Sequence, residues 1–385
     1  MHFADNRNKI RKYIPAVVFL IFIYGMALWF IFSPKPDYSS SEKRYLQKFP
    51  EVTAEKLLSG DFGSEFETFF ADRFPQRNTW VGLNAYTALA EGNNGASGVY
   101  NCKNGYLINK PVSTENNLDK NIGAVADFAK SIDTPTTVML VPSTGYIVDD
   151  VLPTFHDKYN DDEDISKIFS TLSKDKIGFV DLRERFKSEY KNGSQLYYKT
   201  DHHWTTKGAY TGYQELCKAL GITPIDDSTL KKDSCPDFYG TTYSSSGFWL
   251  TPPDNIEIWN NPKNSDRNIS VKITEGANIK TSGSMYFTDH LKEDDKYPVF
   301  IDGNHALTEI TNTNAKNGTI LLIKDSFSHS LAPFLAENYS KVVLVDLRYY
   351  KESVSDLVTT YNPEQVVVLY GIDNLATDTD IVWLK

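Results

Sequence analysis

Apolar positions divide this chain into three textures. An uncharged run from Tyr13 to Ser33 comes first, then apolar residues at helical spacing, and beyond residue 115 short apolar blocks alternate with helical stretches. At about 1.5 Å per residue, a helix over the first run crosses a hydrocarbon core of roughly 30 Å. The segments from Thr53 to Leu58 and from Ser64 to Arg73 each open on a capping residue and carry apolar side chains at helical spacing. Pro75 ends the second, and a third helical pattern runs from Thr79 to about Ala90. Asn93-Asn94-Gly95 breaks it, and Gly98 to Ile108 reads as a hairpin because Asn104-Gly105 suits a turn whose central residues need positive φ. Helices are then expected over Asn121–Ile132, Asp164–Ser173 and Thr206–Leu220. Short β-branched runs lie over 137–142, 177–181, 320–323, 342–346 and 365–370. Continuous apolar strands between helices predict an α/β fold, a mainly parallel sheet covered on both faces.

Two regions depart from that rhythm. From Ser33 to Ser41 the chain is polar and turn-rich, which reads as a spacer. Between about Asp233 and Gly318 it becomes aromatic and rich in Gly, Asn and Ser, which reads as an irregular, partly antiparallel insertion. No fixed-period repeat is evident. The expected organisation is a basic tail over 1–12, a transmembrane signal anchor over 13–33, a spacer and helical stalk over 34–95, and a catalytic domain over 96–385 containing the insertion at about 233–318.

Charge sets the orientation of the anchor. Arg7, Lys9, Arg11 and Lys12 precede the apolar run, which places that end in the cytoplasm and the rest of the chain outside the cell membrane. A cleaved leader would have a shorter apolar core and small residues at its end, and Phe30 to Lys35 offers no such site. The chain carries −10 and its first twelve residues +3, so the exterior part is near −13, which argues against nucleic acid as a partner. Cys102, Cys217 and Cys235 are too few and too scattered for a disulfide framework or a zinc site, and one disulfide of unspecified pairing remains open.

The chemistry concentrates in two places. Thr200-Asp201-His202-His203-Trp204-Thr205 sets a carboxylate two residues before an imidazole, and Lys324-Asp325-Ser326-Phe327-Ser328 sets a serine beyond an apolar strand. Parallel sheets present functional groups past the carboxyl ends of their strands, so Ser326 stands where a nucleophile would. A helix starting near Ser328 would aim the N–H groups around Ser326 and Phe327 at an oxyanion. His203 is the expected base and Asp201 its orienting carboxylate, since alternate residues of an extended segment face one side, with His202 turned elsewhere. The plainer alternatives are an N-cap role for Ser326 or Asp201. A metal at His202 and His203 would need a distant ligand such as His156, His290, His305 or His329, none at a defining spacing, and no metal or cofactor is expected. Tyr239, Tyr243, Phe248, Trp249 and Trp259 are candidates for stacking on sugar rings, against packing in the insertion.

Several motifs together resemble one family. They are Ser41 to Pro50, Asp72-Arg73-Phe74-Pro75-Gln76-Arg77, Gly98-Val99-Tyr100 with Asn104-Gly105-Tyr106-Leu107, Leu140 to Ser143, Asp201-His202-His203-Trp204-Thr205, Lys324 to Ser328, and Asp346 to Tyr350. The chain resembles the DHHW family and, more distantly, the alginate O-acetyltransferases AlgX and AlgJ with their permuted SGNH-hydrolase-like, flavodoxin-like domain. That resemblance maps the catalytic aspartate and histidine onto Asp201 and His203 and the nucleophile onto Ser326. Lys324 stands where SGNH hydrolases commonly have glycine, and no Gly-x-Asn-Asp block is present. Arg348 and Asn374 are candidates for substrate or oxyanion contacts, with a surface or capping role as the alternative for each. The implied activity is O-acyl transfer, most simply acetyl, to an exported polysaccharide. The acyl group would come from a multi-spanning membrane acyltransferase, with no soluble cofactor. A polysaccharide acetyl esterase and a noncatalytic scaffold of an export complex remain as alternatives.

Overall fold

The computed structural model describes residues 2–112, 117–175 and 177–384, and its chain divides into two units, Met1–Tyr86 and Thr87–Lys385. In the first unit, helix α1 (His2–Phe32) contains the stretch Lys12–Phe32, which is long and apolar enough to cross a membrane and whose side chains are exposed or, at Met26 and Phe30, half-buried. The polar segment after it is pinned by one side chain. The Arg73 guanidinium donates to the carbonyls of Lys35 (2.8 Å), Leu46 (3.2 Å) and Gln47 (3.0 Å) and to the Asp37 carboxylate (2.9 Å). Helix α2 (Ala54–Ser59) is capped by the Thr53 hydroxyl, which accepts from the Lys56 N–H. Helix α3 (Asp61–Asp72) begins three residues ahead of Ser64, because Gly60 at φ +88° ends α2 and lets the next helix start at once. Helix α4 (Arg77–Ala90) follows.

The second unit opens with a small antiparallel sheet in which Val99–Asn101 pairs with Leu107–Asn109. The turn between them has Asn104 at φ +58° and Gly105 at φ +77°, the conformation for which that dipeptide is suited. The dominant element is an eight-stranded sheet. Its strands, numbered along the chain, are β1 (Thr136–Val141), β2 (Gly178–Asp181), β3 (Ile269–Glu275), β4 (Asn278–Ser282), β5 (Leu307–Asn312), β6 (Asn317–Lys324), β7 (Tyr339–Val345) and β8 (Gln365–Gly371). The spatial order is β4-β3-β5-β7-β6-β8-β1-β2. From β7 to β2 every pairing is parallel, and β4, β3 and β5 extend the β7 side antiparallel.

Both faces of the parallel part are buried, as its unbroken apolar strands require. Ile320 and Leu322 of β6 join one core with Val342, Leu344, Val367 and Leu369, whereas Leu321 and Ile323 join the other with Val343, Val345, Val366 and Val368. Helices α7 (Thr206–Leu220) and α8 (Ser328–Leu335) cover the first face, through residues such as Tyr213, Leu216 and Leu331. Helices α5 (Leu118–Ser131), α6 (Asp161–Leu172) and α9 (Val354–Tyr361) cover the second. Helix α10 (Ile372–Thr377) follows β8 directly and packs into that second core.

The segment expected to be an irregular insertion is more ordered than its composition suggests. Lys231–Phe238 and Asp254–Asn260 form a separate antiparallel ribbon, but β3, β4 and β5 belong to the large sheet. The reason is visible along β3, where Ile269, Val271 and Ile273 turn inward and Ser270 and Lys272 outward.

Leu322 is fully buried between two parallel neighbours. Leu322→Ala is expected to lower stability by about 2–5 kcal/mol, read as a fall in the urea midpoint with an unchanged slope.

Candidate active site

Chain connections diverge at the carboxyl end of β6. From β6 the chain passes through α8 on one face to β7, then through α9 on the other face to β8 on the opposite side of β6. Such a divergence opens a crevice beyond the strand ends. Ser326 sits there, two residues after β6 ends and two before α8 begins. The segments after β8 (Gly371 to Asn374) and after β1 (Pro142 to Gly145) line a cleft at the same edge.

The Asp201 carboxylate shapes its own loop. Its Oδ1 accepts the backbone N–H of His203 (2.8 Å), a turn that an aspartate makes readily with the residue two positions on. The same oxygen takes the His203 Nδ1–H at 2.5 Å. On the far side of the ring, His203 Nε2 meets the Ser326 hydroxyl at 2.6 Å. The three predicted residues therefore form one hydrogen-bonded line. Asp201 Oδ2 accepts from the backbone N–H (2.7 Å) and hydroxyl (3.1 Å) of Thr241. Burial by itself would raise the Asp201 carboxyl, but the two neighbouring imidazoles and these bonds hold it well below the usual range.

His202 does not turn away. Its ring lies 3.8 Å from that of His203, centre to centre, and its Nδ1 is 2.6 Å from the Thr241 hydroxyl. Burial and the adjacent His203 push it down to about 4, so it is neutral near pH 7.

Other residues position this line without any signal in the motif spacing. Tyr297 stacks flat on His203, with ring centres 4.1 Å apart and planes 12° from parallel, and its hydroxyl donates to the Ser326 carbonyl (3.2 Å). Phe327 meets the same imidazole edge-on at 5.0 Å. Gly240 leaves room for the carboxylate: a Cβ there would lie 2.1 Å from the Asp201 Cβ. Trp204 is fully buried, and its indole N–H reaches the Phe327 carbonyl (3.0 Å) and the Ser330 hydroxyl (2.9 Å), which joins the histidine loop to the serine loop.

Asp325 holds the serine turn. Its Oδ1 accepts the Phe327 N–H (2.9 Å), and its Oδ2 accepts the Gly371 N–H (2.8 Å) and the Asn374 amide (2.7 Å). The Phe327 N–H is thus occupied, contrary to the expectation that it would face an oxyanion. The Ser326 N–H has no acceptor among the described residues.

Behind the turn lies a buried ionic cluster. Lys324 Nζ bonds Asp346 Oδ2 (2.9 Å) and His329 Nε2 (2.8 Å), and Arg348 clasps Asp346 through Nε (2.8 Å) and Nη2 (2.6 Å). Burial pushes His329 well down, so it is neutral and can accept from the lysine. Arg348 is committed to Asp346 and Asn304 and is not one of the cleft-lining residues, whereas Asn374 is.

The cleft is small, about 50 Å³, and its lining includes Ser143, Tyr159, His202, Phe327, Asp373 and Asn374. Two acids flank it, Asp161 buried and Asp373 half-buried. The Ser143 N–H donates to Asp161 (2.7 Å) and its hydroxyl to Asp373 (3.1 Å). Burial raises Asp161 to about 7 and Asp373 to about 6.

Among the described residues, the donor atoms close enough to share a metal belong to Asp201, His202 and His203, within 4.8 Å of one another. Both Nδ1 atoms are hydrogen-bonded, one to Thr241 and one to Asp201. Of the aromatic candidates for sugar stacking, Phe248 and Trp259 are core residues, 0% and 5% exposed. Tyr239, Tyr243 and Trp249 form a half-buried aromatic group. All three cysteines are free thiols, and burial pushes Cys102 and Cys217 up to about 12.

The fold and this edge define a mixed α/β protein with a serine, a histidine and an aspartate in line beyond its parallel strands. Residues 106–345 match the DHHW protein family, and the chain belongs to it. Among solved structures, a DHHW family protein from Eubacterium siraeum is similar at a TM-score of 0.63 with 17% identity, covering 75% of this chain and 95% of that one. Bacillus cereus PatB1, solved with a sulfonyl adduct, is similar at 0.61 with 21% identity, covering 74% and 97%. The O-acetyltransferase domain of Pseudomonas putida AlgJ is similar at 0.48 with 15% identity, covering 75% and 95%. No curated protein matches the chain.

The raised acids carry a pH signature of known sign. Each starts from about 3.8 when unfolded, so its neutral form favours the folded state at low pH, and that contribution is lost as pH rises towards 6 and 7. Asp161→Asn keeps the acceptor for Ser143 and removes the titration. Its Tm relative to the parent is expected to rise between pH 5 and pH 8, measured by calorimetry at both values.

Proposed function

We propose that this protein is a membrane-anchored, extracellular O-acetyltransferase acting on a cell-surface or exported polysaccharide. The observation that carries the proposal is the unbroken line from the Ser326 hydroxyl through His203 to Asp201. In this reading the Ser326 Oγ attacks the donor's acyl carbonyl while His203 Nε2 takes its proton, and the leaving group departs with that proton. An acceptor hydroxyl then attacks the acyl-serine, gives its proton to His203, and the proton returns to Ser326 as the ester forms. Asp201 fixes the tautomer and stabilises the imidazolium in both steps.

The oxyanion would be held by the Ser326 N–H and by the second amide hydrogen of Asn374, whose first is donated to Asp325. Arg348 acts at a distance, through Asp346 and Lys324. The narrow cleft favours a short acyl group. The order of residues, aspartate and histidine before serine, fits a permuted SGNH-hydrolase-like domain with a flavodoxin-like core. The basic N-terminal flank and apolar α1 support a cytoplasmic tail over 1–12, an anchor over 13–33 and an exterior domain. Acetyl donors made inside the cell would reach Ser326 through a multi-spanning membrane acyltransferase.

The full chain in detergent, given a chromogenic acetyl ester and a sulfonyl fluoride, tests the mechanism. Ser326→Ala and His203→Ala are expected to lose about 10⁴-fold or more in kcat/KM, and mass spectrometry should find the sulfonyl group on Ser326. Unchanged rates in both variants would leave a noncatalytic scaffold as the reading. Adding an oligosaccharide acceptor separates transfer from hydrolysis: acetylated sugar supports the transferase, and acetate alone supports an esterase.

Asn374→Ala is expected to lower kcat by about 10²-fold, the usual cost of one oxyanion donor. Its KM should stay near that of the parent, measured with the same ester.

A further inference from the structure

Large apolar side chains are exposed very unevenly. Among the described residues, nine lie exposed between Tyr45 and Leu83 of the first unit, against six in the whole second unit, and Leu58 is 90% exposed. A soluble surface of this kind marks an interaction site. Helix α3 organises it. Phe62, Phe66, Phe69 and Phe70 share one face by helical spacing, and Ser64, Glu67 and Thr68 lie on the other.

That face continues from the apolar helix. Phe30, two residues before the end of α1, packs its ring on Phe70 (4.7 Å between centres) and Phe69 (6.2 Å). Phe49 extends the row to Phe69 (5.4 Å), Phe66 (6.1 Å) and Phe62 (6.5 Å). The Lys35 ammonium lies 3.9 Å over the Phe30 ring, as a snorkelling lysine does at a headgroup boundary. The Arg73 clamp on Lys35, Asp37, Leu46 and Gln47 fixes α3 against the exit of α1.

We infer that the aromatic face of α3, with Leu58 and Phe49, is bedded in the acyl-chain boundary of the outer leaflet, so that the first unit holds the bilayer through an interfacial helix as well as a span. The inference rests on reading α1 as a membrane anchor. The occupant is lipid because the row begins at Phe30, inside the stretch that the anchor places in the membrane, and because an amphipathic helix with phenylalanine on one face and carboxylates on the other suits that boundary. Membrane binding here depends on acyl-chain contact, since Asp61, Glu65 and Glu67 give α3 no attraction for anionic headgroups.

Nitroxide labels on the full chain in phosphatidylcholine nanodiscs test this. Single cysteines are introduced as Leu58→Cys, Phe66→Cys, Glu67→Cys and Ile21→Cys, each with Cys235→Ser, since Cys102 and Cys217 are buried. Relaxation by oxygen, which concentrates in lipid, should exceed relaxation by a water-soluble nickel chelate at positions 58, 66 and 21, with the reverse at 67. Nickel access at 58 and 66 equal to that at 67 overturns the inference, and so does shielding from both reagents, which would mean a protein partner. If 21 is lipid-exposed in either case, the anchor survives and the interfacial helix alone fails. If 21 reads as aqueous, the anchor itself is wrong.

Discussion

The indole N–H of Trp204 holds together two loops that lie 123 residues apart in sequence. It donates to the Phe327 carbonyl and to Ser330, from a side chain wholly removed from solvent. Bringing such distant segments together carries an entropic cost that grows only slowly with separation, and a buried aromatic bearing one satisfied polar atom offsets it well. The position of the tryptophan next to His203 has a geometric consequence. The anchor that fixes the histidine loop is one residue from the imidazole, and its acceptor is one residue from Ser326. Little chain remains in which an error of position could accumulate.

Buried polar atoms at this edge survive because each is answered. Asp325 would be costly in the interior, but three donors converge on it and tie the end of β6 to the end of β8. Lys324 occupies a place where glycine might have been expected, and the structure gives it a partner set: Asp346, with Arg348 on the other side, and a neutral His329. A glycine there would leave Asp346 with Arg348 alone and open a void beneath the serine turn. Removing one member of such a buried cluster strands the others, so the lysine, the aspartate and the arginine act as a unit.

Much of this was legible in the sequence, and the reasons differ by element. The central strands read clearly because strands buried on both faces are continuously apolar, and α7 spans the range expected for it, Thr206 to Leu220, held by two local features, the Thr205 cap and the terminating Gly221. Asp201, His203 and Ser326 were singled out from chemistry and spacing, and their convergence is a tertiary fact that spacing alone does not contain. The strands at 269–282 and 307–312 were missed because Gly, Asn and Ser in the surrounding loops dilute an alternation that is present in Ile269, Val271 and Ile273. Tyr297, Thr241 and Gly240 were invisible for another reason. Each acts by shape or through a backbone atom, and no motif marks a residue whose task is to lie flat on an imidazole or to lack a Cβ.

The electrostatics around His203 fit the role of base proposed for it. Two further imidazoles lie near it, and either one, if charged, would oppose a positive charge on His203. Burial keeps both neutral, holding His202 at about 4 and His329 well below the usual imidazole range. Asp201 stays ionised through its bonds to His203 and Thr241. One negative charge therefore faces the His203 ring, with neutral aromatic surfaces, Tyr297 and Phe327, covering the ring's face and edge. Replacing either neutral imidazole by a permanent cation would spoil this balance even with every distance unchanged. The second histidine of the motif thus has a physical reason to be a histidine: it can donate or accept at Thr241 while adding no charge beside His203.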